Sequence, residues 1–397
     1  MTRIDIVGGV YRERCSFPEW NQIFGSAGRA AVALSAHVDT VVLHTFVSDG
    51  EVASVEANFG GFGVDVHSIN RTQEIGFDYL HSLSTPEIWP EASKRSVASG
   101  HNIIAETVIY FGALEADSEV EAKFCVYDPQ SPNDPKYFKE TGSKADRLAI
   151  ILNWSEARKL TNLFDEKDVV EKIFQEDEPE ILIIKNGLHG AKYFSITESG
   201  HIPAYKSLTS FTIGSGDVFV AAFCLSWAVF GIDIKSATDF ASKATSKYVS
   251  TMSLPIISTS AVNDEEWEAA SVTGGKVYLA GPFRELGQRA MVNDARDRIH
   301  SLGMRVFSPV HDIGHGTAEE VVQKDLDAIR ECDVIFAFLN GSSPGTVFEV
   351  GFARGIDKPV YCVAQNMRAS DVKLPEGSHC NIYGDYVSAL FNMAWRK

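Results

Sequence analysis

Two separate series of apolar, strand-like segments alternate with helical patterns along this chain. The segments of the first series lie at residues 38 to 47, 122 to 127, 148 to 153 and 180 to 185, and those of the second at 276 to 280, 305 to 309, 334 to 339 and 359 to 363. Apolar strands that alternate with helices are typical of parallel sheets covered by helices. The sequence therefore predicts an α/β protein with two such sheets.

The stretch LPIISTSAVNDEEWEAASVTGG lies between the two series and mixes Pro, Ser, Asn and acidic residues. This composition is typical of a domain boundary. We expect a first domain at residues 1 to 255, a linker at 256 to 274 and a second, doubly wound domain at 275 to 397. Within the first domain, the polar and more alternating residues 75 to 115 look like an insertion, which we interpret as a lid.

Composition narrows the class of partner. The 397 residues carry a formal net charge of -17, so no basic field is available for binding a nucleic-acid backbone. The six cysteines form no C-x-x-C pair and fall mostly in apolar runs, which predicts reduced core residues. The start, MTRIDIVGG, shows no charged leader with an apolar region, so we expect a cytoplasmic protein without a membrane partner. The acidic net charge favours a small molecule as its substrate.

The segment FTIGSGDVF, residues 211 to 219, precedes a nearly all-apolar helix. The backbone amides of Gly214, Ser215 and Gly216 can surround an anion at the helix start, where the helix carries partial positive charge. Asp217 beside them is suited to take the proton from an attacking hydroxyl during phosphoryl transfer. An acidic residue in the first turn of a helix is the competing interpretation.

This segment resembles the G-A-G-D signature of the PfkB family of carbohydrate and nucleoside kinases, and the resemblance covers roughly residues 1 to 255. It implies a ribokinase-like sandwich with a small β lid. It also implies that Asn153 and Glu156 (the family's N-x-x-E motif), with Lys185 and Gly187 (its nucleotide-side glycine turn), bind ATP and Mg²⁺. The chain departs from the family at Arg29, where a sugar-binding asparagine is usual. A guanidinium there favours a nucleoside or a bulky anionic acceptor.

The apolar run at residues 334 to 339 is followed by SPGTVFEVGFA, which places Glu349 in the opening turns of a helix. Open α/β sheets bind ligands at the carboxyl ends of their strands. The turn Gly281-Pro282-Phe283 follows another strand and is expected nearby. A carboxylate at a helix start is also favourable for the helix dipole alone, which is the bland alternative for Glu349.

A second carboxyl group, Asp325, lies on the apolar stripe of the helical segment AEEVVQKDLDAIREC. Burial there would raise its pKa, so we expect Asp325 to be protonated and Glu349 to be ionised. Such a pair can cleave a bond at an anomeric carbon: Glu349 attacks and Asp325 protonates the leaving base.

Residues 275 to 397 resemble the nucleoside 2-deoxyribosyltransferases in YLAGPF at 278 to 283, in the pattern from Asp325 to Asp333, and in G-T-x-x-E-x-G-x-A at 345 to 353. The resemblance implies a flavodoxin-like fold, Tyr278 positioning the nucleophile Glu349, and a homodimer or larger homo-oligomer. Where many transferases have an aspartate, this chain has Ser343, as do deoxynucleoside-monophosphate glycosidases of the same superfamily. A hydroxyl beside the amides of Gly345 and Thr346 would accept a 5'-phosphate that a carboxylate repels.

The turn PVHDIGHG at 309 to 316 also follows a strand, so His311 and Asp312 are candidate contacts for base or ribose. His311 and His315 alone do not predict a metal site, because no third ligand accompanies them. Three alternatives stay open at this point. The first domain either phosphorylates a nucleoside or binds a nucleotide as a sensor or scaffold. The second domain cleaves either nucleosides and their monophosphates or NAD. The acceptor of the sugar is either water or a second base.

Overall fold

The computed structural model describes residues 2–130, 134–314 and 317–397. The chain divides into two compact units, Met1–Ser207 with Phe211–Ala270 and Leu208–Ser210 with Ser271–Lys397. Residues 256 to 270 therefore belong to the first unit, whereas their composition suggested a separate linker. The physical reason is burial, because Ile256 and Val262 both pack into the hydrophobic core of the first unit.

The first unit consists of thirteen named strands and seven α-helices within the described ranges. The strands are β1 (Arg3–Val7), β2 (Arg12–Phe17), β3 (Trp20–Ile23), β4 (Thr40–Val47), β5 (Val64–Asn70), β6 (Gly76–His81), β7 (Glu87–Trp89), β8 (Asn102–Phe111), β9 (Glu119–Asp128), β10 (Lys144–Asn153), β11 (Ile181–Lys185), β12 (Ala191–Phe194) and β13 (Ser199–Ile202). The helices are α1 (Gly25–Leu34), α2 (Val52–Gly60), α3 (Trp154–Thr161), α4 (Glu166–Asp177), α5 (Ser215–Cys224), α6 (Ile234–Thr251) and α7 (Thr259–Asn263).

Nine of these strands form one sheet in the order β13-β12-β11-β10-β9-β8-β1-β4-β5. Its strands pair in parallel except β12 and β13, which are antiparallel at one edge. Alternate residues of β10 point to opposite faces, as strand geometry requires. Ala149 and Ile151 face a core that includes α1, α5 and α6, while Ile150 faces a core that includes α3 and α4. The expected helix-covered parallel sheet is confirmed.

A separate sheet in the order β3-β2-β6-β7 forms the lid. The lid was expected within residues 75 to 115, but half of it comes from β2 and β3, near the start of the chain. Conversely, β8 lies in the large sheet between β1 and β9. Its first residues alternate between exposed and buried positions, and only its last five form a continuous buried run, so the pattern suggested an insertion.

The second unit contains a five-stranded sheet in the order β15-β14-β16-β17-β18, and all of its strands pair in parallel. The strands are β14 (Lys276–Ala280), β15 (Arg305–Phe307), β16 (Val334–Phe338), β17 (Val360–Val363) and β18 (Asn381–Tyr383). The helices are α8 (Leu286–Ser301), α9 (Pro309–Asp312), α10 (Ala318–Glu331), α11 (Pro344–Gly355), α12 (Ala369–Gly377) and α13 (Tyr386–Ala394).

This strand order is the flavodoxin-like 2-1-3-4-5 order, and it confirms the doubly wound prediction. The order reverses between β14 and β16, so the carboxyl ends of these two strands flank the switch point at which such sheets bind ligands. Every residue of β16 is buried, which explains its uninterrupted apolar run.

The six cysteines are free and buried, as the sequence predicted. None of the helices in the described parts of the chain is long and apolar enough to span a membrane.

Candidate functional site

Glu349 lies in the second turn of α11, which begins directly after the switch-point strand β16. Pro344 occupies the first helical position, where the missing N–H costs nothing and the ring presets the helical φ. The hydroxyl of Tyr278, on the neighbouring strand β14, donates a hydrogen bond of 2.9 Å to Oε1 of Glu349. Tyr278 is fully buried and stacks on Phe307 of β15, so the position of its hydroxyl is fixed by the sheet.

Asp325 approaches the same hydroxyl from α10. Its side chain is half-buried, and it interacts with the hydroxyl of Tyr278, which also contacts Glu349. Its Oδ1 is buried without a hydrogen-bond partner in the described structure. The two carboxyl groups and the tyrosine, which are up to 71 residues apart in the chain, are therefore brought together as predicted.

Burial affects the pKa of both carboxyl groups, whereas the sequence indicated a raised pKa for Asp325. Burial raises the pKa of Glu349 to about 7, the hydrogen bond from Tyr278 lowers it in part, and the charge of Asp325 raises it. Burial also raises the pKa of Asp325. Burial therefore acts on both carboxyl groups, because the start of the helix leaves Glu349 only partly exposed to water.

One hydroxyl proton decides which carboxyl carries the charge. Tyr278 has a single O–H and donates it to Glu349, so it can only accept from Asp325. If Asp325 carries a proton, Asp325 can donate a hydrogen bond to Tyr278 while Tyr278 donates one to Glu349. Each of the two hydroxyl protons then has an acceptor. The arrangement thus favours one shared proton, with a protonated Asp325 and an ionised Glu349.

The turn after β14 lies at the same edge of the sheet. A Cβ on Gly281 would come within 2.9 Å of Cγ2 of Val292, so the chain passes too close to α8 for a larger residue. Pro282 is buried, whereas the ring of Phe283 is 44% exposed. Phe283 is therefore available to contact a ligand, and its binding role stays a prediction.

Ser343 precedes α11 and has an intermediate exposure, with no side-chain cap hydrogen bond to the helix. The amides of Gly345 and Thr346 belong to the first turn, whose N–H groups lack partners within a helix. Thr346 is buried, and the backbone N–H of Val347 bonds to the carbonyl of Ser343. The amides of Gly345 and Thr346 therefore lie about one helical turn before Glu349, and the hydroxyl of Ser343 lies just before them in the chain.

His311 and Asp312 make hydrogen bonds to neighbouring protein groups. Oδ2 of Asp312 accepts a hydrogen bond of 2.7 Å from the backbone N–H of Ser308. The ring of His311 is bonded at 2.9 Å to Oγ of Ser308 and at 3.0 Å to Oδ1 of Asn293, and burial lowers its pKa. These contacts stabilise the loop, so a direct role in binding stays a prediction. His315 lies outside the described residues.

The first unit has its candidate site at the start of α5. Gly214 has φ +77°, and a Cβ there would lie 2.1 Å from Nε of Arg29. A Cβ on Gly216 would lie 3.2 Å from Nζ of Lys185. Two cationic side chains thus flank the glycines of the predicted anion nest, and the close contact and positive φ require glycine at position 214.

Arg29 does not offer a free charge to an acceptor. Its Nη1 bonds to Oδ2 of Asp217 at 2.8 Å, and its two terminal nitrogens bond to both oxygens of Glu13 from lid strand β2. Its Nε bonds to the hydroxyl of Tyr248 at 3.1 Å. The expected attraction of a bulky anionic acceptor to Arg29 was wrong, because two carboxylates already neutralise the guanidinium.

The predicted cofactor residues form a neighbouring cluster. Nζ of Lys185 is paired with Asp128 at 2.7 Å, and burial opposes its charge while the carboxylates of Asp128 and Glu156 raise its pKa. Asn153 and Glu156 form a capping box at the start of α3. Burial raises the pKa of Glu156 to about 7, and the charge of Asp128 adds to the rise.

Gly187 opens a short turn at φ +52°, closed by a 2.7 Å hydrogen bond from the N–H of Asn186 to the carbonyl of Gly190. For ATP and Mg²⁺, the lysine and the helix-start amides suit phosphate oxygens, and the carboxylates of Glu156 and Asp128 suit a hard cation. The donor set therefore fits the pair of cofactors that the sequence predicted, and their binding stays a prediction.

A cavity of about 230 Å³ joins the lid to the start of α5. Its lining includes Phe77, Tyr79 and Ile88 of the lid, and also Arg29 and Asp217. Its remaining lining includes Tyr11, Glu13, Gly25, Ser26, Gly112, Ala113, Leu114, Pro129, Gln130, Ile213, Gly214 and Gly216.

Sequence reasoning missed four polar residues of this site: Glu13, Asp128, Gln130 and Tyr248. Asp128 carried a usable signal, since it is an acidic residue at the carboxyl end of an apolar strand. Glu13 lies in the alternating strand RERCSF, where an inward charge is not distinguishable from an outward one.

Known proteins match each unit separately. The family description "Nucleoside 2-deoxyribosyltransferase" matches residues 277–385, and "pfkB family carbohydrate kinase" matches residues 113–258. A protein of Thermofilum pendens named "Putative 2'-deoxynucleoside 5'-phosphate N-hydrolase 1" is 31% identical over 106 residues, which are 24% of this chain and 73% of that protein.

Solved structures similar to the first unit include a nucleoside kinase of Methanocaldococcus jannaschii, described as a ribokinase-family member. The two sequences are 14% identical, the match covers 66% of this chain and 97% of that chain, and the TM-score is 0.48. A PfkB protein of Polaromonas has 14% identity, with 66% and 99% covered and a TM-score of 0.47. The chain belongs to the nucleoside 2-deoxyribosyltransferase family through its second unit, which is fused to a PfkB carbohydrate-kinase domain in its first.

Proposed function

We propose that the second unit cleaves the N-glycosidic bond of a 2'-deoxynucleoside 5'-monophosphate through a covalent intermediate on Glu349. The observation that carries this proposal is the hydrogen bond of 2.9 Å from Tyr278 to Glu349, with Asp325 against the same hydroxyl, at the switch point of the sheet. Glu349 and Asp325 lie where open α/β sheets bind their ligands, which supports the proposed roles of nucleophile and acid. This arrangement supports the wider assignment of a two-domain protein of nucleoside metabolism.

The reaction needs two steps. In the first, an oxygen of Glu349 forms a bond to C1' of the sugar while the C1'–N bond breaks, and Asp325 gives its proton to the leaving base. In the second, Asp325 takes a proton from water, and the resulting hydroxide replaces Glu349 at C1'. A second base in place of water would give base exchange instead of hydrolysis.

Support for a 5'-phosphate comes from the start of α11. Ser343 adds no negative charge, and the amides of Gly345 and Thr346 are oriented toward the helix N-terminus, where a phosphate is favoured. The Thermofilum pendens relative is named for action on 2'-deoxynucleoside 5'-phosphates. We extend that substrate class to this chain.

For the first unit, one scheme has it phosphorylate a nucleoside, which the second unit then cleaves to a base and a sugar 5-phosphate. The alternative is nucleotide binding without transfer, as a sensor or scaffold. The ion pair between Arg29 and Asp217 favours the alternative, because it occupies the proposed catalytic base.

Chromatography of free base tests the proposal for the second unit. Ribonucleosides, 2'-deoxynucleosides, their 5'-monophosphates and NAD are incubated with wild type, Glu349→Gln and the control Glu376→Gln, whose side chain is exposed on α12. We expect release from deoxynucleoside monophosphates by wild type and control, and none by Glu349→Gln. Acid quenching and peptide mass analysis would locate the sugar phosphate on Glu349. Release only from NAD would contradict the assigned substrate, and addition of a second base distinguishes exchange from hydrolysis.

A further inference from the structure

Arg29 is a buried charged side chain of the first site, at 1% exposure. It lies on α1, whereas its partners come from the lid, from the start of α5 and from α6. Each of its three nitrogens donates to at least one of these partners: Nη2 to Glu13, Nη1 to Glu13 and Asp217, and Nε to Tyr248. The hydroxyl of Tyr248 in turn donates to the carbonyl of Ile213 at 2.9 Å, so the guanidinium is held on every side.

Arg29 remains charged in this setting. Burial disfavours its charge, but the carboxylates of Glu13 and Asp217 raise its pKa well above its ordinary value. Its charge also lies over the face of Phe24, 5.2 Å from the ring centroid. Withdrawal of Arg29 from the pair would leave two buried carboxylates without a counter-charge, so the pair is expected to persist when a ligand enters.

Asp217 has donors on both of its oxygens. Oδ2 accepts from Arg29 and Oδ1 accepts from Nε2 of Gln130, each at 2.8 Å. A general base must accept a hydrogen bond from the hydroxyl that it deprotonates. Arg29 and Asp217 line the same cavity, and Arg29 occupies one of the two carboxylate oxygens that could accept a hydroxyl proton there.

We propose that Arg29 is a plug that takes the place of the acceptor hydroxyl at Asp217, so that the first unit binds ligands without transferring a phosphoryl group. In the transfer that it blocks, the acceptor oxygen would bond to the γ-phosphorus while the bond from that phosphorus to the bridging oxygen of ADP breaks. The hydroxyl proton would pass to Asp217 and then to water. Glu13 completes the plug, because it fixes Arg29 from lid strand β2 and ties the lid to the floor of the cavity.

The plug predicts a gain of activity when it is removed without changing the charge of the cavity. Glu13, Arg29 and Asp217 carry a formal net charge of one negative unit, and so does the double variant Glu13→Gln/Arg29→Asn, which keeps only Asp217 charged. Asparagine is chosen because it keeps a hydrogen-bonding side chain and leaves room beside Asp217. Glu13→Gln alone is the control, because Arg29 still pairs with Asp217 in it.

Formation of ADP from Mg-ATP is measured with a panel of monosaccharides, inositols and nucleosides. We expect no acceptor-dependent ADP from wild type or Glu13→Gln, and a gain of at least about tenfold over background from the double variant with some member of the panel. Addition of Asp217→Asn to the double variant should abolish the gain. Wild-type turnover that depends on an acceptor would overturn the proposal, and so would a folded double variant with no gain.

Thermal melting establishes whether the double variant is folded. If it is not, Arg29→Gln is used in the same assay. A gain of acceptor-dependent ADP formation by this variant would support the proposal, and no gain by the folded variant would overturn it. This readout is ADP, whereas the readout for the second unit is free base, so failure of one proposal leaves the other measurable.

Discussion

Glu349 shows how burial sets the chemistry of a single carboxyl group. Its pKa is raised to about 7, so it is ionised above that pH and protonated below it. Only the ionised form can attack C1'. We therefore expect kcat/KM for base release to rise with pH through about 7 and to fall again at higher pH, where Asp325 loses the proton that it gives to the leaving base. A profile that is flat between pH 5 and 9 would contradict the assignment of Glu349 as the nucleophile.

Tyr278 lowers the pKa of Glu349 through its hydrogen bond. Its replacement by phenylalanine should shift the acid limb of the pH profile to higher pH and reduce kcat/KM about 10- to 100-fold, the effect of losing a hydrogen bond to a charged group. Tyr361→Phe is the matched control, because Tyr361 lies two strands away on β17 and its side chain is on the opposite face of the sheet. An unchanged limb in Tyr278→Phe would show that the hydroxyl does not act on Glu349.

The raised pKa of Glu349 also has a cost in stability. A carboxyl whose folded-state pKa lies above its unfolded value stabilises the fold only below the unfolded pKa, and this contribution is lost as pH rises through about 7. Glutamine does not titrate. Glu349→Gln should therefore raise the free energy of unfolding of the second unit by roughly 1 to 3 kcal/mol at pH 8 and leave it unchanged near pH 4.5. Denaturant titrations at the two pH values measure this, and an equal change at both would refute it.

At the scale of elements, the start of α11 is expected to select for phosphate. Ser343→Asp would place a negative charge beside the amides of Gly345 and Thr346. We expect it to raise KM for a deoxynucleoside monophosphate by about 30-fold, or ~2 kcal/mol, and to change KM for the nucleoside little. Ser343→Ala controls for loss of the hydroxyl alone. Equal effects of Ser343→Asp on both substrates would place the phosphate elsewhere.

The start of α5 is expected to tolerate only glycine at position 214. A Cβ there meets Arg29 at 2.1 Å, and φ is +77°. Gly231 has a similar φ of +66° but no atoms within 4 Å of an added Cβ. Gly214→Ala should therefore destabilise the first unit by about 2 to 4 kcal/mol and Gly231→Ala by only about 1 kcal/mol. Similar melting temperatures of the two variants would contradict the close approach of Arg29.

The elements show why some features were predictable. Strand β14 was predicted with its observed bounds, Lys276–Ala280, because its apolar run is bounded by Gly275 and Gly281. The predicted meeting of Glu349 and Asp325 followed from strand ends and helical spacing, which are local patterns. The partners of Arg29 were not predictable in the same way. Glu13, Asp217 and Tyr248 are 16, 188 and 219 residues away from Arg29 in the chain, and their local sequences do not indicate that they meet.

At the scale of the whole molecule, two series of strands and helices correctly predicted two α/β units of different families. The predicted boundary placed residues 256 to 270 outside the first unit because polar composition does not reveal that single apolar side chains, such as Ile256 and Val262, are buried. Fold and family assign the chain to nucleoside chemistry. The reaction depends on the side chains at the two sites, where the second unit has a complete pair of carboxyl groups and the first has a base that is already paired.

The most direct test of the central claim is the release of free base from a 2'-deoxynucleoside 5'-monophosphate at pH 8, where Glu349 is ionised, by wild type and Glu349→Gln. We expect wild type to release the base and Glu349→Gln to release it at a rate lower by a factor of at least about 1,000, because glutamine cannot form the glycosyl ester. Equal release by the variant, or no release by a folded wild type, would contradict it.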